Sequence, residues 1–200
     1  MTIADPLFES ERLRLASPEP EKDAETEARW THDADYLRLL TPEPARPVSP
    51  THIKKRYEEQ AKEKDHRRLA FAIRLKADDR LIGFARLENI EWNNGVARLV
   101  LGLGTAEDRR QGYGSEALQL ILRYAFHELN LHRLNAETAE YNPGAQRWLE
   151  KAGFQLEVRQ RQCLYRDGRR WDALWFGLLR PEWEAGHKTQ DARHREQVKP

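Results

Sequence analysis

The chain has 200 residues, enough for one domain with a substantial core or for two small ones. Its 34 basic and 33 acidic residues give a formal net charge of +1, so no overall basicity indicates a nucleic-acid partner. Cys163 is the sole cysteine, which excludes an intrachain disulfide and a cysteine metal cluster. Because no stretch has signal-peptide or membrane-spanning character, we expect a cytoplasmic protein with no membrane partner.

Hydrophobic periodicity and turn residues predict the secondary structure along the whole chain. The predicted strands, in chain order, are 13–15, 69–75, 81–90, 96–104, 134–138, 154–165 and 170–179. The predicted helices are two short ones within 21–40, one capped by Thr51, one from Gly114 to Leu129 and one from Pro143 to Ala152. Four prolines within residues 41–50 indicate an irregular loop, and Asn94-Gly95 and Asp167-Gly168 indicate tight turns.

This order of elements predicts an α+β fold, with about seven strands in a mixed, mostly antiparallel sheet and helices on both faces. We expect one domain over residues 1–183. Residues 184–200 are charged and carry Val198 as their one large apolar side chain, which is typical of a disordered tail.

The run from Arg109 to Ser115 joins a predicted strand to a predicted helix and is the strongest candidate for a ligand site. It reads Arg109, Arg110, Gln111, Gly112, Tyr113, Gly114, Ser115. A helix N-terminus has unpaired N–H groups that attract anions, glycines allow close backbone approach, and arginines suit phosphate oxygens. The run therefore predicts a pyrophosphate cradle, and the alternative is a tight connection flanked by solvated arginines.

Further along, the motifs resemble those of one protein family. Arg109-x-x-Gly112-x-Gly114, between a strand and a helix, resembles the acetyl-CoA signature of the GNAT N-acetyltransferases. The segments 114–118, 124–126, 129–133 and 150–154, with Asn142, are similar to the branch that contains ribosomal-protein N-terminal acetyltransferases and spermidine acetyltransferases. The resemblance covers about residues 7–183. It implies a GNAT-like fold and transfer of an acetyl group from acetyl-CoA to a primary amine, with no metal.

The resemblance also implies how acetyl-CoA binds. The pantetheine arm would lie along the backbone of Leu101, Gly102 and Leu103, whose N–H groups would also polarise the thioester carbonyl. The side chains of Leu101 and Leu103 can at the same time belong to the core. Asn142 would contact the pantetheine arm, and it can equally cap the helix that opens at Pro143.

Two residues are candidates for proton transfer. Glu137 lies five residues before Asn142, at the spacing of the base glutamate in some ribosomal-protein acetyltransferases; a salt-bridged strand glutamate is the alternative. Glu88 and Glu91 are further candidates for the base. Many relatives carry a tyrosine acid where this chain has Leu149, so that role is vacant or has moved, with Tyr141 as a substitute.

The acceptor remains open among a protein N-terminus, a polyamine and another small-molecule amine. An acyl-CoA-binding module without turnover and a purely structural domain are the alternative functions. His127 and His132 do not have the spacing of a metal site. Trp171, Trp175 and Phe176 favour either core packing or a homodimer face.

Overall fold

Seven strands form one sheet in the computed structural model, which describes residues 6–62 and 66–186. The strands are β1 (Leu13–Ala16), β2 (Leu69–Leu75), β3 (Leu81–Glu91), β4 (Val96–Leu103), β5 (Arg133–Ala139), β6 (Gln155–Arg166) and β7 (Arg169–Leu179). They lie in the order β1-β2-β3-β4-β5-β7-β6. Every neighbouring pair is antiparallel except β4 and β5, which are parallel. The predicted mixed, mostly antiparallel sheet is therefore confirmed.

The helices also follow the predicted order. They are α1 (Pro20–Trp30), α2 (Ala34–Leu40), α3 (Pro50–Lys62), α4 (Tyr113–Arg123) and α5 (Pro143–Lys151). Two boundaries differ from the prediction. Ser49, not Thr51, caps α3, because its hydroxyl accepts the N–H of His52. The α4 helix was predicted to reach Leu129, but it passes at Tyr124–Glu128 into a π turn, closed by the Leu129 N–H bonding the Tyr124 carbonyl.

The helices lie on both faces of the sheet, as predicted. Along β4, Leu99 packs into the larger core with α4 and α5, whereas Val100 packs on the other face in a cluster with Trp30 of α1 and Tyr36 of α2. This alternation follows from the two-residue period of a strand. Between α1 and α3, Ala24, Ala28 and Ile53 form a third cluster. Much of the cavity described below is lined by residues of α1–α3 and of the sheet face beneath them.

A buried ion pair fixes α1 to this face. The Arg74 guanidinium is fully buried, and its Nη2 lies 2.6 Å from Oδ1 of Asp23, which is also buried. The second Asp23 oxygen accepts the N–H of Glu19 at the start of α1. The pair therefore sets the position of α1 above β2.

The chain continues as a helix over residues 180–186, three residues past the predicted end of the domain. Trp183 in this helix is buried against Phe126, with ring centroids 5.3 Å apart. The rest of the predicted tail lies outside the described residues. None of the helices among the described residues combines the length and apolar character that crossing a bilayer requires.

Candidate active site

The parallel strands β4 and β5 separate partway along their length. Only Val96–Arg98 pair with Arg133–Asn135, although β4 continues to Leu103 and β5 to Ala139. A cavity of about 580 Å³ opens at the divergence, lined by residues of both strands and of α5. The sheet therefore contains a V-shaped cleft whose two edges are backbone that is not paired across it.

The backbone at the end of β4 is oriented toward this cleft. The Gly104 N–H donates to the Ile82 carbonyl of β3 at 2.9 Å, and the β3–β4 register is regular here. Because N–H directions alternate along a strand, Leu101 and Leu103 direct theirs toward the cleft, and Gly102 directs its N–H toward β3. Of the three residues predicted to bind pantetheine, two present backbone donors.

Gly102 has a packing role instead. A Cβ at this position would lie 3.1 Å from Cε1 of Phe84 and 3.3 Å from Leu40. The neighbouring Gly104 is tighter still, since a Cβ there would overlap the Trp30 ring at 1.9 Å. The glycines at the end of β4 therefore let α1 and α2 approach the sheet beside the cleft.

The predicted cradle forms the first turn of α4, at the end of the same cleft. Gly112 is the N-cap, with φ of 86°, and no side chain caps the helix. The first helical bond runs from the Glu116 N–H to the Gly112 carbonyl, so the N–H groups of Tyr113, Gly114 and Ser115 have no acceptor within the helix. Three aligned donors at a positive helix end form a site suited to an anion.

The arginines of the cradle point in different directions. Arg110 is exposed and has a left-handed φ of 63°. Arg109 instead turns toward α2, where its Nη2 lies 3.7 Å from Asp33 and its guanidinium lies over the Tyr36 ring. The Gln111 carbonyl accepts a hydrogen bond from Arg12 Nη1 at 3.0 Å.

Sequence reasoning missed Arg12 and Asp108, which brace this loop. Arg12 binds Glu116 through its backbone N–H and its Nε, at 2.9 and 2.8 Å, and stacks over the Tyr113 ring. Burial would raise the pKa of Glu116, but hydrogen bonds from Ser10 and Arg12 outweigh it and lower that pKa. Buried Asp108 forms a bidentate pair with Arg80 at 2.8 and 2.9 Å. These contacts span about 30 and 100 residues, so no local pattern indicates them.

Trp148 is a further residue that sequence reasoning missed. Its indole Nε1 is buried and has no hydrogen-bond partner among the described residues. A Cβ placed on Gly114 would lie 3.8 Å from this nitrogen and 3.7 Å from Leu103. The unpaired indole N–H of Trp148 therefore lies beside both the end of β4 and the first turn of α4.

Asn142 and Tyr141 hold α2 against the cleft. The Asn142 Oδ1 accepts the Ala145 N–H at 3.1 Å, which confirms the expected cap of α5, and its Nδ2 donates to the Leu39 carbonyl. The Tyr141 hydroxyl donates to the Arg38 carbonyl at 3.0 Å, and its ring packs edge-on against Trp171. Both side chains line the cavity with their polar atoms already engaged.

The Glu137 carboxylate lies in the cavity and makes fewer polar contacts than Tyr141 and Asn142 do. Its nearest charged partner is Arg98, 3.9 Å away, which is beyond hydrogen-bond distance. By contrast, Glu88 is buried and accepts a 2.5 Å hydrogen bond from Arg98, and Glu91 is exposed and binds Asn94. Leu149, at the position of the tyrosine acid in many relatives, is buried in the core.

A family model described as "Acetyltransferase (GNAT) domain" matches residues 12–155, and the chain belongs to this family of N-acetyltransferases. Among relatives, it is 36% identical over 75 residues to the uncharacterized N-acetyltransferase YnaD of Bacillus subtilis. That match covers 38% of this chain and 44% of YnaD.

A second Bacillus subtilis relative matches over a longer stretch. The prophage-derived uncharacterized N-acetyltransferase YokL is 28% identical over 141 residues, which is 70% of this chain and 77% of YokL. Among solved structures, spermidine N-acetyltransferase from Vibrio cholerae, in complex with CoA and spermine, superposes with a TM-score of 0.78 at 20% identity. The match covers 88% of this chain and 99% of that one. That similarity confirms the GNAT fold.

Proposed function

We propose that the protein transfers an acetyl group from acetyl-CoA to a primary amine by direct attack in a ternary complex. The observation that carries this proposal is the position of the uncapped first turn of α4 at one end of the β4–β5 cleft, with Glu137 in the adjoining cavity. An anion site, a strand edge and a carboxylate then lie along one groove. This is the arrangement that a long phosphorylated thioester and an amine together require.

The residues present fit acetyl-CoA. Tyr113, Gly114 and Ser115 offer backbone donors for the pyrophosphate, with Gly112 allowing close approach, and Arg109 and Arg110 add positive charge. Leu101 and Leu103 offer donors along the open edge of β4. The orphaned Trp148 indole N–H supports the same assignment, because a buried unpaired donor beside the cleft is costly without a ligand. Acetyl-CoA, when bound, supplies the activated acetyl group.

Glu137 is the residue that we assign to amine deprotonation. An alkyl ammonium has a pKa near ~10, so most of the acceptor is protonated at neutral pH and must lose a proton before it can attack. The Glu137 carboxylate faces the cavity with no hydrogen bond among the described residues, so it can accept that proton directly or through a water. Glu88 is a poorer base because its carboxylate already accepts a hydrogen bond from Arg98.

Tyr141 is the residue that we propose as the acid that protonates the leaving thiolate. Its hydroxyl would first have to release the Arg38 carbonyl. A thiol with a pKa near ~8.5 leaves tolerably as the anion, so turnover without an acid is compatible with the buried Leu149.

The engaged Tyr141 hydroxyl and the buried Leu149 favour a second candidate, an acyl-CoA-binding module with little turnover. Incubation with acetyl-CoA and a panel of primary amines, with detection of free thiol, separates the two. Amine-dependent thiol release supports the transferase. Binding of CoA by calorimetry without thiol release from any amine would support the binding module.

A further inference from the structure

Thr138 on β5 carries a buried hydroxyl that no described residue satisfies. The residue is 8% exposed, and its Oγ1 has no hydrogen-bond partner among the described residues. The same residue lines the cavity between β4 and β5. Because a buried hydroxyl without a partner is destabilising, its position beside a cavity indicates that a ligand group uses it.

Five buried side-chain atoms in the described lining of the cavity lack a hydrogen-bond partner. Three are arginine Nε atoms, and each of those guanidinium groups is ion-paired with a glutamate. The other two are neutral donors, the Thr138 hydroxyl and the Trp148 indole N–H. Neither side chain has a second polar atom that could be engaged instead. These two donors are therefore the ones left for a ligand in the cleft.

Thr138 and Glu137 are neighbours in sequence but project to opposite faces of the sheet, because side chains alternate along a strand. Ala136, two residues before Thr138, and Leu174, its cross-strand partner on β7, both belong to the core with α4 and α5. Pairing of β5 with β4 ends at Asn135, and the cavity is lined by residues from both faces. The gap between the strands therefore has the carboxylate on one side and the hydroxyl on the other.

The proposed anion site lies on the same face as Thr138. Trp148 packs against the core with α4 and α5, and its Nε1 lies 3.8 Å from the position of a Cβ on Gly114 in the first turn of α4. A ligand arm that runs from this turn past Trp148 enters the gap from the face of Thr138. An amine that loses its proton to Glu137 enters from the other face. The attacking nitrogen and the leaving sulfur would then lie on opposite sides of the acyl carbon.

We propose that the Thr138 hydroxyl donates a hydrogen bond to the sulfur atom of CoA and stabilises the negative charge that develops on it. Transfer forms the bond between the amine nitrogen and the acyl carbon and breaks the bond between that carbon and the sulfur. The sulfur leaves with the electron pair, the amine proton passes to Glu137 or to water, and Thr138 keeps its own proton. A donor of this kind is most effective where charge develops during the reaction.

Thr138 can make this contact without giving up another one. The Tyr141 hydroxyl, by comparison, already donates to the Arg38 carbonyl. The inference rests on the proposed acetyl transfer and adds a residue to that site.

The first test measures the contact at sulfur without turnover. A pH titration of the CoA complex, followed by the ultraviolet absorbance of the thiolate, gives the pKa of the bound thiol. Thr138→Val keeps the shape of the side chain and removes the donor, so it should raise that pKa by about one unit. Thr138→Ser keeps a hydroxyl and should leave it near the wild-type value. Thr41→Val, which removes a hydroxyl that already accepts the Glu43 N–H in the same lining, is the matched control and should not change it.

A comparison of ligands tests the same contact by calorimetry. Above the pKa of the thiol, the wild type should bind CoA about tenfold more tightly than desulfo-CoA, in which hydrogen replaces the thiol. Thr138→Val should lose most of this difference and keep its affinity for desulfo-CoA. If Thr138→Val does not fold, Thr138→Ala takes its place in both measurements. An unchanged thiol pKa in a folded variant would mean that only water uses this hydroxyl, and the proposal would be wrong.

Kinetics separate this inference from the proposed transfer. With an amine that is acetylated, Thr138→Val should lower kcat about tenfold or more while KM for the amine stays similar, and Thr138→Ser should recover most of the loss. If no amine is acetylated but Thr138→Val still raises the pKa of the bound thiol, acetyl transfer fails and the contact with sulfur stands. If transfer proceeds and Thr138→Val changes neither kcat nor that pKa, the transfer stands and the role of Thr138 is wrong.

Discussion

The three glutamates considered as bases differ in the hydrogen bonds that their carboxylates already accept. Glu88 is bonded to Arg98, and Glu91 is bonded to Asn94 on the surface. Glu137 alone of these three lies in the cavity without a hydrogen bond among the described residues. Since an occupied carboxylate must break a contact before it takes a proton, the contacts favour Glu137 more clearly than sequence spacing does.

Glu137→Gln should keep the shape of the side chain and remove the base. We expect kcat to fall about 10²–10⁴-fold near neutral pH, as for other general bases. The deficit should shrink as the pH approaches ~10, because the free amine then needs no base. Calorimetry should give unchanged CoA affinity, since the anion site lies at the other end of the cleft. The exposed Glu128→Gln is the control, and wild-type turnover of Glu137→Gln at every pH would remove this residue from the mechanism.

The buried Arg74–Asp23 pair gives a stability prediction. Asp23→Ala leaves a fully buried guanidinium without its main carboxylate, so unfolding free energy should fall by about 3–5 kcal/mol. The double variant Asp23→Leu with Arg74→Met should lose much less, because no buried charge is left unpaired. Denaturant unfolding measures both. Equal losses in the two variants would mean that packing of α1, rather than charge, sets the effect.

At the level of elements, side-chain contacts fix the position of α4 while the backbone N–H groups of its first turn remain without acceptors in the helix. Arg12 and Ser10 bind Glu116 in its first turn, and Arg80 binds Asp108 in the preceding loop. These contacts fix the turn without using the N–H groups of Tyr113, Gly114 and Ser115. By comparison, the N-termini of α2 and α5 are capped by Asp33 and Asn142. The difference leaves α4 with backbone donors available to a ligand.

Gly114→Val tests this turn as the anion site. A Cβ at Gly114 meets its neighbours only at 3.7 and 3.8 Å, which are ordinary contact distances, and the side chain would project toward Leu103 and Trp148, where the ligand should lie. We expect at least a tenfold loss of CoA affinity by calorimetry, with little change in melting temperature. Gly112 is less suitable for this test because its φ of 86° would strain any side chain. Gly186→Val, in open space, is the control, and unchanged affinity of folded Gly114→Val would place the cradle elsewhere.

Periodicity and turn residues predicted most elements because those signals are local. The alternation of Leu99, Leu101 and Leu103 marks β4, and the left-handed Asp167 and Gly168 close the β6–β7 hairpin as expected. The π turn after Arg123 was not predicted, since the apolar spacing over Ala125 and Phe126 suits an α-helix as well. Likewise Ser49, rather than the predicted Thr51, caps α3, so the helix begins at Pro50.

At the scale of the whole molecule, the site depends on contacts that sequence patterns do not encode. The cleft exists because β4 and β5, about 35 residues apart, pair only at their first three residues. The Trp148 donor matters only once α5 lies beside α4. The loop glycines were indicated by the local pattern and by a family resemblance, whereas the roles of Arg12 and Trp148 required the structure.

The C-terminal end of the domain gives the last prediction. Trp183 is buried against Phe126, and Glu182 accepts the Leu179 N–H at 2.9 Å, so the helix over residues 180–186 is part of the folded unit. Beyond it, the sequence is charged and has little apolar surface to offset ordering. Truncation after Gly186 should therefore leave melting temperature and turnover unchanged.

Trp183→Ala in the full chain is the matched comparison for that truncation. Loss of a buried tryptophan should cost about 3–5 kcal/mol, or roughly 6–20 °C in melting temperature for a domain of this size. Calorimetric melting of the three proteins separates the outcomes. If truncation after Gly186 lowers the melting temperature as far as Trp183→Ala does, the final residues dock on the domain and the proposed boundary lies too early. If only Trp183→Ala destabilises, the folded unit ends with this helix.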